Sequence, residues 1–157
     1  MGQEWIGSTC KGDLEKYTWD EAQRAAKEFG SGWRVPTIEE LMSIRRCSAG
    51  WQLKKIGYKA KPTGGGKVAI WGDIDMITLP SGTSVPTKCA YGSSRPVLNT
   101  DIFPNTLSDG DLHWLYWSSS PFDGDNRSAW LVLFHSGAYS YYAKNDHLYV
   151  RLVRSNQ

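Results

Sequence analysis

Much is missing from this chain, and each absence narrows what it can be. No apolar run is long enough to cross a membrane, so no membrane insertion by this domain is expected. The three cysteines, Cys10, Cys47 and Cys89, are widely spaced and form no CxxC pair, which argues against a zinc site. Neither HExxH nor GxSxG occurs around the three histidines, His113, His135 and His147. Net charge is small, at +2, and gives no argument for nucleic acid. A sequence pI near 8.4 adds only a weak lean toward anionic ligands. No internal repeat is apparent, and no signal segment is legible in the opening MGQEW. Trp5 and Cys10 read as the middle of a folded region, so the start reads as that of a domain trimmed from a longer protein.

What is present is a chain of 157 residues, enough for one domain with its own core. Hydrophobic residues make up 40%, which excludes a disordered chain. Aromatic residues reach 13%, with eight Trp, a composition that suits short elements held together by large side chains.

Helix signals are confined to the first third. In YTWDEAQRAAKEFG, Thr18 and Glu21 form a capping box, and Trp19, Ala22, Ala25, Ala26 and Phe29 recur at helical spacing up to Gly30. In RVPTIEELMSIRR the device repeats with Thr37 and Glu40, and Ile38, Leu41, Met42 and Ile44 face inward. This second helix is expected to run to Cys47. Trp33 between the helices reads as core. Arg34, flanked by apolar residues, reads as a buried or half-buried arginine with a carboxylate partner.

Residues 48 to 113 show no helical periodicity and are rich in Gly, Pro, Ser and Thr, so a long irregular insert is expected. PTGGGKVAI resembles a phosphate loop, but Lys67 is followed by Val68 instead of Ser or Thr, and Gly64 to Gly66 read as a flexible turn. A Cys47–Cys89 bridge would close a long loop and contribute about 4 kcal/mol. Three unpaired thiols in a cytosolic protein are the alternative.

The C-terminal third reads as an antiparallel meander. Trp117 with the following serines begins one strand. SAWLVLF alternates Trp130, Val132 and Phe134 against Leu131, Leu133 and His135. Ser136-Gly137 reads as a two-residue turn, AYSYY as the returning strand, and HLYVRLV as the strand that closes the sheet. The fold class is therefore α+β.

Three stretches in order, YTWDEAQRAAKEFGSGWRVPTIEELMSI, FPNTLSDGDLHWLYWSSSP and AWLVLFHSGAYSYYAKNDHLYVRLVR, resemble the Lcl C-terminal domain family. The resemblance covers nearly the whole chain, and the combination of pieces is specific. It implies one C-type-lectin-like domain over residues 1–157, of the formylglycine-generating-enzyme type. It also implies a place in the C-terminal part of a secreted or surface adhesin, or of a retroelement-diversified variable protein. The family's cysteine placement matches Cys47 and Cys89, which implies their disulfide and an extracellular location.

The candidate chemistries can then be weighed. Formylglycine-generating enzymes act through cysteines late in the chain, and none follows Cys89, so no enzymatic activity is expected. Ser118 to Ser120 have no base nearby and read as a strand edge or turn. No cofactor is expected. Calcium is the one candidate metal, at Asp123, Asp125 and Asn126, but EPN, QPD and WND motifs are absent and a polar turn is the plainer reading.

A recognition surface accounts better for the last twenty residues, which hold four of the eight tyrosines around a polar turn. Tyr supplies rigid contact area with a polar tip, and Ser, Asn and Asp add adaptable hydrogen bonds. Alternation places Tyr139 and Tyr141 on one face and Ser140 and Tyr142 on the other, so some tyrosine is expected to be exposed; the alternative is that all of them pack under the insert. The expected ligand-binding residues are Phe122, Asp123, Asp125, Asn126 and Arg127 from one loop. Tyr139, Tyr141, Tyr142, Asn145, Asp146 and His147 join them from the last hairpin. The expected ligand is a glycan or glycosaminoglycan, with Arg127 and Lys144 pairing sulfate or carboxylate. A host or partner protein comes next, and a trimeric structural tip is a further alternative.

Overall fold

Both helices start where their caps dictate. In a computed structural model that describes residues 4–6, 9–11, 15–103 and 115–155, α1 spans Trp19–Phe29 and α2 spans Ile38–Ser43. Thr18 Oγ1 accepts from the Glu21 N–H, and Glu21 Oε2 accepts from the Thr18 N–H at 2.9 Å. Thr37 and Glu40 repeat the exchange at α2, so each box satisfies two otherwise orphaned donors. His113, most of the FPNT segment and the side chain of Cys10 lie outside the described residues.

The second helix is shorter than the sequence suggests. It is capped at Ile44, so Cys47 lies beyond it instead of ending it. Tertiary bonds take the chain away. Arg46 N donates to Val97 O at 2.7 Å, and the buried Arg45 guanidinium donates to Met42 O and Gly137 O.

Arg34 finds its expected carboxylate. Its two terminal nitrogens donate to Glu40 at 2.7 and 2.6 Å, and both side chains are partly exposed. Hydrogen bonds from Arg34 hold the Glu40 carboxyl below its usual range; the Thr37 N–H adds to this and burial opposes it. A depressed native pKa gives stability that is present above the ordinary carboxylate range and is lost as pH falls through the native value. Glu40→Ala is therefore expected to cost about 1–2 kcal/mol at neutral pH, through the cap and the exposed ion pair together. Urea unfolding checks this. The gap between wild type and variant should close below roughly pH 4.

The main sheet holds β3 (Lys16–Tyr17), β9 (Leu115–Pro121), β10 (Ser128–Leu133), β11 (Ala138–Ala143) and β12 (Leu148–Tyr149) in the order β11-β10-β9-β12-β3. The β9–β10–β11 run is the expected meander, antiparallel throughout. The closing strand is not. β12 lies on the far side of β9, parallel to it, and the N-terminal β3 pairs outside it. Only Leu148–Tyr149 of the predicted strand enters this sheet, and β13 (Val153–Arg154) pairs instead with β4 (Trp33–Arg34). The turn at Lys144 explains the departure. Its carbonyl accepts from Trp19 N at 2.9 Å and its ammonium sits 4.4 Å from the Trp19 ring, which draws the chain toward α1 and away from β11.

The β10–β11 turn also differs. Leu133 pairs with Ala138, so Phe134–Gly137 forms a four-residue turn instead of Ser136-Gly137 alone. Continued pairing would occupy carbonyls used elsewhere: Phe134 O accepts from Val97 N and Ser136 O from Cys89 N. Gly137 has φ of 73°, and a Cβ there would lie 2.9 Å from Cys89 Sγ, so only glycine fits.

Both faces of the sheet are covered. One packs Tyr116, Val132 and Phe134 against α2 and the loop carrying Val97 and Leu98. The other packs Trp117, Ala129 and Leu131 against Ala22 and Ala26 of α1, whose small side chains allow close approach. Trp33, read as core, is only half-buried, with its ring edge-on to Phe29.

Part of the insert is regular, although residues 90–103 form no helix or strand. β5 (Leu53–Ala60) and β6 (Lys67–Ile74) form a long hairpin, with Gly64 to Gly66 at positive φ in its turn. A second hairpin joins β7 (Met76–Thr78) to β8 (Ser84–Pro86). The lysines of LKKIGYKA break the alternation that would mark a strand, because most of β5 faces water. Cys47 and Cys89 are joined by a disulfide that brackets both hairpins. A further pair, β1 (Glu4–Ile6) with β2 (Thr9–Lys11), lies near the N-terminus.

Candidate ligand-binding surface

Register brings the aromatic residues together. Trp130 stands opposite Tyr141, and Val132 opposite Tyr139, so three aromatic side chains share one face of β10 and β11. Phe122 joins them from the β9–β10 loop, where its N–H donates to Ser128 O at 3.0 Å. Its ring stacks on Tyr141 with centroids 3.9 Å apart and planes 6° apart. Trp130 meets Phe122 edge-on at 5.2 Å, Tyr141 at 6.0 Å and Tyr139 at 5.6 Å. Gly124 makes room for the stack, because a Cβ there would come within 2.6 Å of the Phe122 ring. Tyr139 is packed against the core, whereas Tyr141 remains 50% exposed.

A polar cleft of about 680 Å³ opens at the end of the same strand pair. The paired residues Ser128 and Ala143 form part of its lining, with Asp125, Arg127, Lys144 and Asn145 from the two neighbouring turns. Thr18 and Asp20 contribute from the start of α1. Asp125 Oδ1 accepts from Arg127 N at 3.0 Å and from Arg127 Nε at 3.2 Å. These bonds, the backbone one first, hold the Asp125 carboxyl below its usual range, so it is ionised at neutral pH. The cleft thus offers carboxylate acceptors beside cationic and amide donors, a set suited to hydroxyl-rich or partly anionic groups.

The expected binding residues fall in several places on the surface. Phe122, Tyr139 and Tyr141 belong to the aromatic cluster. Asp125, Arg127 and Asn145 line the cleft. Asp123, Asn126 and Asp146 are exposed around them. Tyr142 stands opposite Ala129 on the other face and is also exposed. His147 lines a separate depression of about 460 Å³ with Tyr17, Glu21 and Arg24, its Nε2 4.0 Å from Glu21.

Sequence reading missed Trp130, Thr18, Asp20 and Ser128. The register of the β10–β11 hairpin was the signal for Trp130, since it faces Tyr141 directly. Thr18 and Asp20 come from over a hundred residues away and carry no local signal.

Among the described residues weighed for catalysis, Ser118, Ser120 and His135 have structural partners. Ser118 is fully buried and its Oγ donates to Trp130 O at 2.7 Å. Ser120 Oγ accepts from Ile38 N at the start of α2. His135 contacts Arg95, and burial first, then the Arg95 charge, pushes its pKa down.

Compared with known families, the chain matches over residues 2–154 the family model described as Lcl C-terminal domain. No curated protein and no solved structure matches it.

Proposed function

Since the chain belongs to the Lcl C-terminal domain family, we propose that it is an extracellular, non-catalytic recognition domain of C-type-lectin-like fold. Its ligand is a glycan or glycosaminoglycan, bound by the Phe122–Trp130–Tyr141 platform and the adjoining polar cleft. One observation carries this reading: Tyr141 is half exposed yet already stacked on Phe122 and braced by Trp130. A ring held in place binds at low entropic cost and offers one free face to a sugar ring. The cleft lies two residues along the same strands, roughly 7 Å away. Arg127 and Lys144 supply charge there for sulfate or carboxylate, and Asp125 and Asn145 take hydroxyls. The Cys47–Cys89 bond accords with an oxidising location.

A protein ligand is the second reading, favoured by the position of β11. It is the edge strand of the sheet and carries Tyr141 and Tyr142 exposed on opposite faces, an arrangement that can receive a partner's strand.

The test is a glycan-array screen with and without calcium, followed by calorimetry on the best ligand. Tyr141→Ala should weaken binding by about 2 kcal/mol, roughly thirtyfold, while the thermal midpoint stays nearly unchanged. A folded domain that binds no glycan, or one whose binding ignores Tyr141→Ala, rejects the platform. Loss of binding on chelation would assign a metal to the Asp123–Asn126 loop.

A further inference from the structure

The β5–β6 hairpin belongs to neither core, and its chemistry differs from that of the rest of the chain. Between Leu53 and Ile74 it carries Lys54, Lys55, Lys59, Lys61 and Lys67 against Asp73 alone, a net charge of +4. The whole chain carries +2, so everything outside the hairpin sums to −2. The ribbon is therefore net positive while the rest of the chain is slightly net negative. The ribbon also exposes large apolar side chains to water. Ile56 is 63% exposed, Tyr58 58% and Trp71 52%, with Leu53 and Ile74 exposed at its base.

These residues are interleaved with the lysines. Trp71 stands directly opposite Lys55. Lys55 Nζ donates to Tyr58 Oη at 2.7 Å and lies 4.9 Å from the Tyr58 ring centre. Isolated two-stranded ribbons are marginal in water, and one that exposes several large apolar side chains has the character of an interaction surface.

We propose that this hairpin is a docking arm for the surface of an anionic lipid bilayer. Charge complementarity selects an anionic occupant and disfavours a second copy of the chain, since two +4 ribbons repel. A purely hydrophilic polyanion would leave Ile56, Leu53 and Ile74 in water. The headgroup boundary of a bilayer accepts both halves of the pattern. Trp and Tyr rings settle at that depth, aliphatic side chains reach the acyl edge, and lysines extend their ammonium groups to the phosphates. The attachment is peripheral, and no described helix is long and apolar enough to cross a membrane.

Co-sedimentation of the whole chain with phospholipid vesicles tests this. Vesicles with about one-third phosphatidylserine should carry the protein down at moderate salt, and phosphatidylcholine vesicles should not. Lys54→Glu with Lys55→Glu and Lys59→Glu should reduce the bound fraction at least about tenfold. Ile56→Ser with Trp71→Ser should reduce it about as much, without moving the thermal midpoint, since both side chains are exposed. Tyr141→Ala, which tests the glycan platform, should leave vesicle binding unchanged. The proposal is overturned if anionic vesicles leave the protein in solution, or if sedimentation survives loss of Ile56 and Trp71. Binding to heparin without binding to vesicles overturns it in favour of a sulfated polymer, and self-association abolished by the same double variant in favour of a second copy.

Discussion

Replacing Cys47 and Cys89 by serine is expected to lower the unfolding free energy by about 4 kcal/mol and the thermal midpoint by roughly 10 °C. The bond joins residues 42 apart and so removes much of the freedom of the unfolded insert. It acts on the part of the fold least able to hold itself. Most of the β5–β6 hairpin faces water, so little apolar burial anchors it. Cys89 is itself buried, bridges to Trp51 and donates its N–H to Ser136 O, which ties the insert to the β10–β11 turn. Losing the bond should therefore loosen the end of the sheet opposite the polar cleft. Urea unfolding with and without reductant measures the effect. A midpoint that hardly moves would mean that Leu79, Val97 and Leu98 hold the insert without the bridge.

What was legible in the sequence is what is decided locally. A capping box is complete within four residues, so Thr18 with Glu21 and Thr37 with Glu40 were readable before any tertiary contact was known. The alternation of β10 was equally plain, and both of its faces are buried as distinct clusters. Two of the failures share one cause, which is competition from distant groups. Phe134 has a strand-like side chain, yet its carbonyl is taken by Val97 and it becomes part of a turn. Leu148–Tyr149 follows β11 in sequence but pairs with β9 and β3, because Lys144 is held at the start of α1. β5 was invisible for another reason: a strand exposed on both faces has no hydrophobic period to show. The candidate site divides in the same way. Its tyrosines and the Asp125–Arg127 loop could be read from composition, whereas the contribution of α1 to the cleft depends on long-range packing.

Trp130→Ala is expected to lose stability and ligand binding together, and this separates the platform from the core beneath it. Trp130 is half-buried, packs against the cluster containing Val132 and Phe134, and touches Phe122, Tyr139 and Tyr141. Truncating it removes most of that contact and leaves a cavity, for about 3 kcal/mol of stability. Phe122 and Tyr141 would keep each other but lose the edge that fixes their tilt. Binding should then fall by at least the roughly thirtyfold expected for Tyr141→Ala. Trp130→Phe should restore much of the stability by refilling the space. If binding returns with it, the indole serves as a brace and the ligand meets Tyr141. If Trp130→Ala weakens the fold but leaves affinity intact, the stacked rings are not the contact surface. Arg127, Lys144 and Asp125 of the cleft must then hold the ligand alone, and binding should fall steeply with added salt.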